Sequence, residues 1–217
     1  MKTLTHFATV LALSLTCTAF GQGYFLFGAT KSIAFENRGG GLTAGGADMS
    51  VAFMFALSGT PAVGSVGSPI NDLARASWPQ ILSDPNFSWA INSATGQLVV
   101  QSCNGAGGWY YNGGLSFPVA GTGAGFSYQV YVVAWWNFGG IVSTPWQAAA
   151  AGLPPGWSNV FTYQTGGNSG SSILSFQSSG IQPFGIYIPE PSSLTLLAAL
   201  SGVSWLRSRR NMRKRFP

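Results

Sequence analysis

The chain is poor in almost everything that acid–base or metal chemistry uses. Charged residues make up 7% of its 217 positions, against roughly 25% in an ordinary soluble domain. It has a single histidine, His6, and two cysteines, Cys17 and Cys103. Beyond the first 21 residues no histidine remains, which excludes Ser-His-Asp and Cys-His catalysis and histidine-based metal sites from that part of the chain. No two acids lie within ten residues of each other, so the clustered oxygens of a calcium loop are missing. The glycine-rich stretches are not followed by Gly-Lys-Ser/Thr and are not phosphate loops. No internal period of 20–50 residues marks a solenoid. No cofactor is expected.

The net charge of +5 is equally uneven. Lys2 supplies one positive charge, and the final eleven residues supply six: Arg207, Arg209, Arg210, Arg213, Lys214 and Arg215. Between 22 and 188, three bases (Lys31, Arg38, Arg75) meet four acids (Glu36, Asp48, Asp72, Asp84). That region nets −1 and offers no basic face for nucleic acid.

Both ends read as addresses. Lys2, the uncharged run Phe7–Leu15 and the small-x-small ending Ala19-Phe20-Gly21 form the three parts of a secretory signal. The expected cleavage lies between Gly21 and Gln22, with signal peptidase and the general secretion machinery as partners. At the other end, Pro189-Glu190-Pro191 leads into an uncharged run from Ser192 to Leu206, then the basic cluster at 207–217. The 15-residue run would extend about 22 Å as a helix, short of the ~20 residues that usually span a bilayer. Trp205 suits an interface, and the six positive charges favour the cytoplasmic side. Residues 192–206 are therefore expected to form a single short transmembrane helix.

These three ordered elements resemble the PEP-CTERM sorting signal of Gram-negative bacteria, also called an ice-binding protein C-terminal domain. The resemblance covers 188–215 and departs from the pattern only in its extension, Asn211–Pro217. It implies that Pro189, Glu190 and Pro191 are recognised and processed by exosortase, a membrane-embedded cysteine protease. The implied path is an inner-membrane-anchored precursor that ends at the cell surface or outside the cell. Ice binding itself would call for a regular threonine array, and none is present. The run Gly156–Thr162 also loosely resembles secreted PEP-CTERM proteins of verrucomicrobial-type bacteria, with no site to carry over.

Between the addresses, residues 22–185 are expected to form one secreted, all-β domain, an antiparallel β-sandwich or jelly roll. Met49, Val51, Phe53, Phe55 and Leu57 alternate with Ser50, Ala52 and Ala56, and residues 126–136 alternate likewise. Shorter strands are expected at 24–27, 31–36, 87–91, 97–101, 109–111, 115–119, 157–163, 172–177 and 184–188, separated by Gly- and Asn-rich turns. One helix is expected at 145–151, capped by Thr144, opened by Pro145 and stopped by Gly152. A weaker one is expected at 71–77.

The aromatics are the one positive sign of binding. Trp109-Tyr110-Tyr111, flanked by Gly-Gly pairs, is the candidate glycan contact, while alternating residues such as Trp136 and Trp157 are expected in the core. Cys103 reads as a small residue tucked beside a turn. Asp84-Pro85-Asn86 reads as a turn, and Asn71-Asp72 as a helix cap. The resulting expectation is a non-catalytic structural protein of the envelope or extracellular matrix. The alternatives are an exopolysaccharide-binding module and, more remotely, a glycoside hydrolase using two carboxylates ~5–9.5 Å apart.

Overall fold

The computed structural model describes residues 21–37, 41–63, 78–153, 155–170 and 172–187. Residues 1–20 of the expected signal 1–21, the expected helix at 71–77 and its Asn71-Asp72 cap, the Pro189–Pro191 motif, the 192–206 span and the basic tail lie outside them. No helix among the described residues is long and apolar enough to cross a membrane.

The described chain is mostly β-strands in several antiparallel sheets, with few helices. In order come β1 (Gln22–Phe25), β2 (Gly28–Ala29), β3 (Ala34–Asn37), β4 (Leu42–Ala44), β5 (Met49–Leu57) and helix α1 (Trp78–Leu82). Five two-residue strands follow: β6 (Ser88–Trp89), β7 (Ile91–Asn92), β8 (Gln97–Leu98), β9 (Gln101–Ser102) and β10 (Trp109–Tyr110). The remainder are β11 (Phe117–Gly123), β12 (Ser127–Trp136), helix α2 (Pro145–Ala150), β13 (Gly156–Trp157), β14 (Phe161–Gln164) and β15 (Phe184–Tyr187).

The longest ladder joins β12 to β5, from Tyr128 opposite Leu57 to Trp136 opposite Met49. The free side of β12 takes β13 and β14, and that of β5 takes β6 and β9. β1, β11, β7 and β8 form a second sheet, and β10 pairs with β2. One pair breaks the expected antiparallel pattern: β15 runs parallel to β3, with β4 on the other side.

On one face of the central sheet, Val51, Phe53, Phe55, Val130, Val132 and Phe161 pack under Phe25, Phe27, Trp109, Phe117 and Phe184. Phe176 sits at the hub, with ring centroids 4.9–5.3 Å from Tyr163, Phe53, Phe27 and Phe161. Burying one such side chain contributes about 1.5–3 kcal/mol. Residues 172–177, expected as a strand, instead form irregular backbone running into a 3-10 turn at Gln177–Ser179. Phe176 is held there by its ring and not by a ladder, which explains why alternation misread the segment.

The opposite face differs from the simple in–out pattern. Ala52, Met54, Ala56, Tyr131, Val133 and Trp135 are buried as well. The small side chains of β5 let other elements approach: Ile81 and Leu82 of α1, Phe87 and Trp157 cover one part, and Ala148 of α2 covers another. Helix α2 follows its expected chemistry. Thr144 Oγ1 accepts the Gln147 N–H at 3.2 Å and Gln147 Oε1 accepts the Thr144 N–H at 3.2 Å, a reciprocal capping box with Pro145 in the first turn.

Candidate functional site

Pairing of β10 with β2 sets Trp109 opposite Ala29 and Tyr110 opposite Gly28. Successive side chains on a strand point to opposite faces, so the two rings cannot share a platform. Trp109 is fully buried, its centroid 5.6 Å from Phe27, and its indole N–H has no hydrogen-bond partner among the described residues. Tyr110 is 45% exposed. Tyr111 turns back: its ring lies 4.5 Å from Phe117, and its hydroxyl accepts Asn92 Nδ2–H at 3.1 Å. The expected three-ring glycan contact is corrected to one exposed ring, because strand alternation outweighs the flanking glycines. Among the residues expected in the core, Trp157 is buried, while Trp136 is half-buried and stacks on exposed Phe138 at 4.0 Å.

A different aromatic group does converge. Between α1 and α2 lies an open apolar groove of about 370 Å³, walled by Trp78, Pro79 and Leu82 on one side and Trp146, Ala149 and Ala150 on the other. Trp146 is 43% exposed. Its ring meets Trp89 edge-on, with centroids 4.8 Å apart and planes at 60°. In α2 the buried positions are Pro145 and Ala148, three apart, so Trp146 is turned about 100° from the first and about 160° from the second. That spacing was available in the sequence as a sign that Trp146 faces outward.

A second hollow of about 520 Å³, mixed in polarity, is lined by Ser127, Thr162, Gln164, Thr165, Ser172 and Ser179 together with Ile173 and exposed Leu174. None of its described lining residues is charged.

The two buried acids among the described residues are held structurally. Asp84 is buried; Oδ1 accepts the Asn86 N–H and Oδ2 the Val63 N–H, both at 3.0 Å, as the expected turn requires. Tyr131 beside it donates its hydroxyl to Ile81 O at 3.3 Å, and burial, followed by the Asp84 charge, pushes that phenol up. Glu36 is buried on β3, with Oε1 accepting the Gly46 N–H at 3.4 Å. It lies close enough to Cys103 to help burial push that thiol up to about 12. Cys103 belongs to the core under one face of the central sheet, while Tyr131, the neighbour of Asp84, belongs to the other. Asp48 is exposed just before β5, and Asp72 lies outside the described residues. The two buried carboxylates thus do not face one cleft. Gln22 opens β1 opposite Gly123, with Gly21 just before it.

Comparison with protein-family models, with curated proteins and with solved structures gave no match.

Proposed function

We propose that this is an exported, exosortase-processed protein whose β-rich portion, a β-sandwich in its finer architecture, serves as a non-catalytic structural module of the cell envelope or extracellular matrix. The observation that carries the reading is the order Pro189-Glu190-Pro191, uncharged run 192–206, then six basic residues. In this reading the secretion machinery and signal peptidase remove 1–21. The 192–206 segment then holds the precursor in the inner membrane by the positive-inside bias of its tail, and exosortase cuts near Pro189–Pro191.

The character of the β portion is compatible with such a role. Its described residues hold four charges, Lys31, Glu36, Asp48 and Asp84, two of them buried. A surface of this kind suits packing and contact more than proton transfer. The hydrolase alternative needs two carboxylates in one cleft, which Glu36 and Asp84 do not provide. Mass spectrometry of the secreted fraction from cells containing exosortase is the test: the expected C-terminus falls near Pro189–Pro191, and an intact Pro217 would overturn the reading.

A further inference from the structure

We propose that the groove between α1 and α2 binds a neutral glycan, with Trp146 as the stacking platform. This goes beyond the sorting role and is independent of it. The groove has the attributes that a sugar ring needs. One wall carries a large, partly exposed indole whose orientation is fixed from behind by Trp89 at 4.8 Å. The helix bearing it is itself fixed, since the Thr144–Gln147 capping box closes its N-terminus and Leu153 N donates to Ala148 O at 2.9 Å beyond its C-terminus. A platform held in place before binding loses little freedom on binding. The facing wall presents Trp78 and Leu82, and Ser83 stands at the rim with its hydroxyl donated to Pro79 O, leaving lone pairs for a ligand hydroxyl.

The chemistry of the occupant follows from charge. Among the described residues no charged side chain lines the groove, and the exposed charges among them are Lys31 and Asp48. Recognition of nucleic acid, a polyanion or an anionic lipid surface has nothing among these described residues to act on. A pyranose ring combines an apolar C–H face, which gains by leaving water against an indole, with hydroxyls that stay solvated at the open rim. A volume of about 370 Å³ lies at the small end of ligand sites and suits a short stretch of sugar chain. The same groove is too small to supply the roughly 800 Å² per partner of a stable protein–protein interface by itself.

The test is native electrophoresis of the full chain, in mild detergent, through gels containing hydroxyethyl cellulose, dextran, galactomannan or alginate. Retardation is expected with at least one of the three neutral polymers. It should weaken at least tenfold in Trp146→Ala and in Ala150→Glu, which puts a charge into the groove, and be largely kept in Trp146→Tyr. The Tyr and Glu variants decide the matter if Trp146→Ala proves misfolded by near-ultraviolet dichroism. Retardation by none of the polymers, by alginate alone, or equally in wild type and Ala150→Glu would overturn the proposal. So would loss on Tyr110→Ala with Trp146→Tyr and Ala150→Glu both still bound. A change of sedimenting mass in Ala150→Glu without a change in glycan binding would assign the groove to a second copy. Retardation seen only after deletion of 188–217 would assign it to the chain's own tail. The C-terminal mass that tests sorting is read separately, so either idea can fail alone.

Discussion

Ser158 stands in for a missing rung of the central ladder by bonding twice to Val132. Its N–H is donated to Val132 O at 2.8 Å, and its hydroxyl oxygen accepts the Val132 N–H at 2.9 Å. The hydroxyl then donates to Asn159 O at 2.8 Å. The arrangement falls where β13 has ended and β14 has not begun, so that the chain bulges without orphaning a buried amide.

Ser158→Ala should therefore leave the Val132 N–H buried and unsatisfied, at a cost of about 1–3 kcal/mol. Urea unfolding should show a lower midpoint with unchanged slope. An unchanged midpoint would mean that the strand relaxes to bond elsewhere.

Asn137 follows the C-terminal end of β12. Its Nδ2 group donates to Ala47 O at 2.9 Å and Ser50 Oγ at 2.8 Å, while Oδ1 accepts the Gly140 N–H at 3.2 Å. Asn137→Asp replaces that donor with an acceptor facing a carbonyl. The buried carboxyl would favour its protonated form, so its folded pKa would rise above the ordinary ~3.9 of the unfolded chain. The folded state then holds the extra proton, and stability should fall as pH rises through and above about 4. Melting of this variant between pH 3 and 7 should show a decline that the parent lacks.

How much of this was legible varies with the kind of signal. Local chemistry read well: Thr144-Pro145 started α2, and Asp84-Pro85-Asn86 made its turn, because each needs only residues two or three apart. The long strands β5 and β12 read well because alternation over nine or ten residues is hard to mimic. What covers a face is set by distant elements, so Ser50, Ala52 and Ala56 did not reveal that α1 and α2 bury their side. Trp109 was misread for a similar reason, since its direction depends on pairing with Ala29, eighty positions away in sequence. The groove at Trp146 joins helices separated by a long stretch of chain, and no local motif announces it.

Gly156 supplies a steric test. A Cβ there would collide with the backbone oxygen of Gly185, where β13 lies against β15, and would sit 3.2 Å from Ile186 Cγ2. Gly156→Ala should push β15 away and loosen Phe184 and Ile186, costing more than about 3 kcal/mol. Gly46→Ala, whose Cβ would meet nothing within 4 Å, should change stability by about 0.5 kcal/mol or less. Denaturant midpoints of the two variants should separate widely; similar values would contradict the tight β13–β15 contact.

Alkaline pH should unfold the domain through three buried acids of the weak kind. Burial, then the charge of Glu36, pushes the Cys103 thiol up to about 12. Burial pushes Tyr163 up to about 12, partly offset by the Leu26 N–H donated to its hydroxyl at 2.8 Å, and Tyr131 is raised as well. In the unfolded chain a thiol ionises near ~8.5 and a phenol near ~10. Above those values the folded state binds more protons than the unfolded one, so stability falls with pH, by about 1.4 kcal/mol per pH unit for each group. The decline should begin near pH 9 with Cys103 and steepen beyond pH 10 as the tyrosines join. Cys103→Ala should remove the first limb and leave the second, so the comparison is of slopes and not of absolute stability. Urea midpoints measured from pH 7 to 11 decide it: a flat profile to pH 11 would mean that these side chains reach water in the native state.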